Sequence, residues 1–274
     1  MPPTARTRRL WTTAFTLTIA LGLAALTSAQ RGYMFQYSMG EANTKYTGQF
    51  TFARLKYDCA DYGYNCYYYR QIPSWAHGYA RTDNGLPAEH ELLQILDSIS
   101  VVHPQIENSN VFALDDPELC KFPIAYMTEA GFWNLGDKQA QAFGSYLRKG
   151  GFVIFDDFRD PPRGGGGWGV FAQSMKRVLP GLDIVPLDPS HPIFHSFFEI
   201  NSFDIIPQYY DSNRPYIAGI FENNDKTKRL MAIINYNTDI SNFWEYSGTG
   251  FKPVDQANTA FELGVNYLIY GLTH

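Results

Sequence analysis

Apolar residues recur along this chain with two periods, two and about 3.6, and elements of the two kinds alternate through its middle. Phe50 to Tyr57 alternates apolar with polar, which predicts a strand with one wet face. Pro87 opens a helix through Ser98, with Leu92, Leu96 and Ile99 on one face. Val111–Leu114 and Phe122–Met127 read as short strands, the first followed by Asp115 and Asp116, the second by Thr128 and Glu129. A helix from Asp137 to Lys149 places Ala140, Phe143 and Leu147 together and stops at Gly150. Phe152 to Phe155 is an unbroken apolar run, as in a parallel strand buried on both faces, and it ends in Asp156 and Asp157.

Val170 to Val178 predicts a further helix with Phe171, Met175 and Val178 on one side, Leu182 to Val185 a strand, and His191–Phe194 the start of a loop. Ile217–Phe221 and Leu230–Asn235 read as paired strands joined by the polar turn Asn223–Lys226, and Val254 to Tyr270 as a closing helix with Phe261, Val265 and Leu268 inward. Alternating strands and helices predict an α/β fold, a mostly parallel sheet covered on both faces, with antiparallel additions near the C-terminus.

Residues 1–29 carry Arg6, Arg8 and Arg9 without an acid, then the apolar run Leu10–Leu26 and the small residues Thr27–Ala29, the pattern of an export signal. An uncleaved membrane anchor is the alternative, and Thr7–Trp11 also resembles a twin-arginine signal. The expected organisation is a signal over 1–29 and one α/β domain over 30–274, periplasmic or extracellular. Beyond residue 29 the chain holds 19 basic and 27 acidic side chains, a net charge of −8, which argues against a nucleic-acid partner. No later segment has the run of roughly 20 apolar residues that a membrane helix needs. In an oxidising compartment Cys59 and Cys66, with six residues between them, are a disulfide candidate, with Cys120 left over.

If the strands are parallel, Asp115, Asp116, Glu129, Asp156 and Asp157 all follow carboxyl ends, where open α/β sheets bind ligands. Acids gathered there need a cation, calcium or magnesium for example, or an arginine such as Arg159 or Arg163. The bland alternative is that they cap turns and bind loop amides. The glycine-rich loop Pro161–Gly169 lacks any phosphate-loop spacing, and its Trp168 is a candidate lid over the acids. His191 is either a general base near them or the cap of a rigid turn. Arg54 is expected to pair with Asp58, a ligand clamp being the alternative; the aromatic segment Tyr62–Tyr69 with Trp75 and Tyr79 is either a stacking surface for a sugar or a partner or ordinary loop packing, and Asn235, Asp239, Trp244 and Glu245 are candidates to reach the acids from the other side.

Several segments, in this order, resemble one bacterial family, domain of unknown function 4159: Phe52–Asp58, Phe122–Met127, Leu147–Phe152, Asp156–Asp157, His191–Phe194 and Leu263–Tyr267. The resemblance implies a fold similar to class I glutamine amidotransferases, a three-layer flavodoxin-like sandwich, in exported or membrane-attached proteins. Where relatives tend to carry a Gly-His-Gly-like turn, this chain has Thr128-Glu129-Ala130-Gly131. It also has no cysteine on a tight Gly-x-Cys-x-Gly turn, so glutaminase chemistry is not expected. The reading is therefore a domain that binds a small ligand or an envelope protein without a required cofactor, a divalent cation being the one candidate. The alternative is a hydrolase, on carbohydrate for instance, working through paired carboxylates with or without a metal.

Overall fold

Phe152–Phe158 forms the centre of the sheet, and all seven of its residues are buried, because parallel neighbours flank it on both edges. In the computed structural model the main strands are β1 (Thr51–Lys56), β2 (Gln105–Ala113), β3 (Ile124–Thr128), β4 (Phe152–Phe158), β5 (Val185–Pro186), β6 (Tyr216–Phe221) and β7 (Leu230–Tyr236). They lie in the order β2-β1-β3-β4-β7-β6-β5. The first five of that row are mutually parallel, while β6 runs antiparallel to both β7 and β5. The fold is thus α/β with a largely parallel central sheet.

The structure describes residues 43–59, 67–68, 72–79, 88–161, 166–205 and 214–274. All of them fall in one compact unit, Met39–His274. Residues 1–29, expected to be an export signal, and Cys66, Arg163 and most of the tyrosine-rich segment lie outside the described residues.

The helices are α1 (Ala88–Ile99), α2 (Asp137–Arg148), α3 (Trp168–Val178), α4 (Ile240–Glu245) and α5 (Val254–Thr273). Neighbouring residues of β4 serve two helix groups, as the period of two requires. Ile154 joins Phe52, Tyr126 and Ile233 in a core closed by Leu92 and Leu96 of α1, Phe243 of α4 and Val265 and Leu268 of α5. Phe155 meets Phe143 of α2 and Phe171 of α3 edge-on instead, with ring centroids 6.4 and 4.9 Å away. None of the described helices is long and apolar enough to cross a membrane.

Three expectations about elements are corrected. The strand expected to end at Phe155 continues through Asp156 and Asp157 to Phe158, so these acids belong to the sheet and are not in a loop beyond it. β1 has no continuous wet face: of its polar positions only Lys56 is exposed, while Thr51 and Arg54 are buried, since β1 is flanked by β2 and β3 and Arg54 finds an internal partner. Leu182 to Val185 contributes only Val185–Pro186 to the sheet, because Leu182 closes a turn on Leu179. Pro192–His195 is a short 3-10 helix and α4 an added helical turn and a half, both too brief for a periodicity reading.

Candidate functional site

β3 and β4 are adjacent and parallel, with Thr128 in register with Asp156, so their carboxyl ends carry Glu129 and Asp157 side by side. The Glu129 amide lies 3.2 Å from each of the Asp156 and Asp157 carbonyls, and Tyr57 Oη lies 2.7 Å from the Glu129 carbonyl. Between Phe155 and Phe158, β4 sets two residues against the single Asn235 of β7, which is a β-bulge. In a regular strand Asp156 and Asp157 would point to opposite faces. The bulge turns Asp157 into the left-handed region, φ 57°, and both carboxylates then face the segment that follows β7.

That segment brings the next acid. Asp239 caps α4: its Oδ1 accepts from the Asn242 amide at 2.9 Å and the Ser241 hydroxyl at 3.0 Å, and its Oδ2 has no hydrogen-bond partner among the described residues. Asp156 accepts from Tyr126 Oη at 2.7 Å and from the Ser241 and Ile240 amides at 3.1 and 3.5 Å. The opposite charge comes from His77, whose Nδ1 pairs with Asp157 Oδ2. Arg54 holds the backbone of that histidine, donating from Nη1 to the His77 carbonyl at 2.8 Å while its Nε and Nη2 fork onto Glu89 of α1 at 3.2 and 2.8 Å.

Asp156, Asp157 and Asp239 are fully buried, and Glu129 and His77 are 8% exposed. Two charges at 4.8 Å, the outer limit for the ligand atoms of His77, Asp157 and Asp239, interact by about 3–4 kcal/mol at an effective dielectric constant near 20. Four acids therefore cannot all ionise beside a single imidazolium. Burial, then Asp157, holds the Glu129 carboxyl well above the usual range, against the pull of His77 and Arg159. Asp239 is raised by burial and Asp157 in the same way, and Asp156, raised by burial and Asp157 against its three donors, reaches about 7. Burial alone would depress His77, but Asp157, Asp239 and Glu129 lift it to about 10.

These shifts have one sign in stability. The native state binds the Asp156 proton more tightly than the unfolded chain, so that contribution is complete below about pH 3.8 and is lost as pH rises through about 7. The His77 contribution is complete below about 6.5 and is lost towards 10. With EDTA present, the urea midpoint is expected to fall steadily from pH 5 to pH 9. Asp156→Asn should remove mainly the part of that fall below pH 7. A midpoint that rises over this range contradicts the assignment.

Of the acids expected to converge, Glu129, Asp156 and Asp157 do, with Asp239 arriving from beyond β7. Asp115 does not, because it pairs with Lys138 at 2.7 Å; nor does Asp116, which caps the 3-10 helix Pro117–Lys121 through the Glu118 amide at 2.9 Å. Arg159 is half-buried and close enough to Glu129 to lower its pKa. His191 lies at the other end of the sheet: its ring packs on Phe221, which pairs with the first residue of β7, and on Tyr270, which touches the first residue of β4. Its Nδ1 accepts from the Ile193 amide, so it serves as a turn cap and not as a base beside the acids. Trp168 stacks on Phe158 and, with Asp160, Tyr216 and Tyr236, lines a cavity of about 320 Å³. Arg54 pairs with Glu89 and not Asp58, which is exposed. Trp75 and Tyr79 are buried and in contact, 6.4 Å between centroids, so they do not offer a free stacking surface. Cys59 is disulfide-bonded and Cys120 is free and exposed.

His77 had no sequence signal. It sits in an aromatic connection, 80 residues before its partner Asp157, with no second ligand at a helical spacing.

A family model described as domain of unknown function (DUF4159) matches residues 51–272, from the first residue of β1 to the last turn of α5. The chain belongs to this family. Among curated proteins, no match was found. The matched DUF4159 region contains every member of the cluster, His77, Glu129, Asp156, Asp157 and Asp239, as well as the Arg54–Glu89 brace. Three residues of this DUF4159 domain at or next to the cluster, Glu129, Asp157 and Asn237, are non-glycines with φ between 53° and 61°. Such conformations cost of order 1–3 kcal/mol each and gather at functional sites.

Proposed function

We propose that this chain is an exported, periplasmic or extracellular domain with a three-layer, flavodoxin-like sandwich resembling class I glutamine amidotransferases without their cysteine. It binds a cationic ligand through the cluster of His77, Glu129, Asp156, Asp157 and Asp239, and it is not a hydrolase. The parallel strands taken in chain order, β1, β2, β3, β4 and β7, lie as 2-1-3-4-5, which supports that topology. The observation that carries the binding reading is the convergence of three buried carboxyl groups from three separate stretches, Glu129, Asp157 and Asp239, on one imidazole, with Asp156 buried beside Asp157. A cation bound there would let more of these carboxyls ionise, which burial and mutual repulsion otherwise oppose. A glycosidase pair faces a sugar across an open cleft, whereas Asp157 and Asp239 have no exposed surface, and Asp156 faces the Ile240 and Ser241 amides. Cys120 stands on the turn that precedes β3, away from the strand's carboxyl end.

Thermal-shift measurements on the full chain against divalent ions, polyamines, nucleotides and sugars test this. Cationic compounds should raise the melting temperature of wild type, and Asp157→Asn should abolish the rise. Shifts confined to neutral sugars or to nucleotides, or an undiminished cation shift in Asp157→Asn, would refute the reading.

A further inference from the structure

The cluster carries one feature that an internal ion pair leaves unexplained. Asp239 has no exposed surface, yet among the described residues only one of its oxygens is satisfied: Ser241 and Asn242 both donate to Oδ1, and none donates to Oδ2. Buried carboxylate oxygens without partners are rare in folded proteins. Asp239, Asp157 and His77 each offer an atom, and these atoms all lie within 4.8 Å of one another. Two ligand atoms, each about 2.0–2.2 Å from a metal, stand no more than about 4.4 Å apart, so the widest pair here needs to close by at most about 0.4 Å to share one ion.

Building on the cation-binding reading, we propose that His77, Asp157 and Asp239 hold one divalent first-row transition metal ion. The donor set decides the class. An imidazole nitrogen with two carboxylates selects ions such as Zn²⁺ or Mn²⁺, because calcium and magnesium take oxygen ligands, and the absence of a thiolate in the set disfavours soft ions. The chain also holds its ligands from behind. The Asp239 carboxylate is fixed by Ser241 and Asn242, and the His77 backbone is fixed by Arg54 through a 2.8 Å bond to its carbonyl. Ligands positioned by outer partners in this way bind metal more tightly than mobile ones. Three protein ligands leave at least one coordination position for water or a ligand's donor atom.

The test uses the full chain, stripped with EDTA and dialysed, then titrated with Zn²⁺, Mn²⁺ and Mg²⁺. Bound metal is counted by mass spectrometry and affinity is measured calorimetrically. One equivalent of Zn²⁺ or Mn²⁺ is expected, at least tenfold tighter than Mg²⁺. Asp239→Asn, which keeps an acceptor for Ser241 and Asn242, should weaken binding at least a hundredfold. Asp115→Asn, at an acid outside the cluster and paired with Lys138, should bind within threefold of wild type. If Asp239→Asn does not fold, X-ray absorption of the zinc-loaded wild type decides: a nitrogen and oxygen shell with one imidazole supports the site, and a sulfur scatterer or no imidazole overturns it. Wild-type-like metal binding in Asp239→Asn overturns it too. If metals fail but a polyamine shift is still lost in Asp157→Asn, the metal assignment falls and the cation-binding reading stands. If neither metals nor polyamines bind, both fall.

Discussion

Arg54→Met is expected to lower the stability of the domain by about 3–5 kcal/mol, the loss seen when one partner of a buried ion pair is removed. At about 2–4 °C per kcal/mol for a domain of this size, that is a fall in melting temperature of roughly 6–20 °C. The reason lies in burial: Arg54 and Glu89 are both about 1% exposed, and the guanidinium satisfies both Glu89 oxygens. Without it, Glu89 is a charge in an apolar core with nothing to balance it. Arg54→Met with Glu89→Leu should recover most of the loss, because replacing a whole buried pair with apolar residues is often neutral. The double variant should nevertheless bind the cationic ligand poorly, since the His77 carbonyl has lost its donor. Melting curves for the two variants and a ligand-shift assay on the double one check this. A single variant within 1–2 °C of wild type would show that the brace carries no such energy.

Gly144→Ala is expected to destabilise by about 2 kcal/mol or more, against its helix propensity. Gly144 lies inside α2, where alanine is favoured over glycine by about 1 kcal/mol. A methyl group there would stand 2.2 Å from the carbonyl oxygen of Val178, the last residue of α3. That contact is with backbone, so a rotamer change cannot relieve it, and overpacking of this kind costs about 1–3 kcal/mol or more. Repulsion therefore outweighs propensity. Gly169→Ala, on α3 with open space around the added carbon, should be neutral or stabilising by up to about 1 kcal/mol. Urea denaturation of both variants is the comparison, and a stabilised Gly144→Ala would disprove the close approach.

The long elements were legible because their periodicity is local. α2 was expected over Asp137 to Lys149 and spans Asp137–Arg148; α5 was expected over Val254 to Tyr270 and spans Val254–Thr273. The antiparallel pairing of β6 with β7 was also readable from two apolar runs and a polar turn. What could not be read was which acids meet. Asp115 and Asp156 look alike in sequence, each opening an Asp-Asp pair after an apolar run. One has Lys138 beside it on the surface, and the other is sealed under α4. The choice of Glu89 over Asp58 for Arg54 was equally hidden: it depends on how α1 packs across β1, 35 residues along the chain.

From its residue pattern alone, then, this protein was determined to be an α/β domain with a largely parallel sheet, acids after several strands and no amidotransferase cysteine turn. Those properties follow from neighbours along the chain, from periods, caps and apolar runs. The tertiary structure alone decided that β4 bulges at Asp156 and Asp157, that His77 rather than His191 meets the acids, and that Asp239 keeps one oxygen unsatisfied. Each depends on the register of one strand against another or on a contact across tens of residues. Such contacts are set by how the whole core packs, and no local period records them.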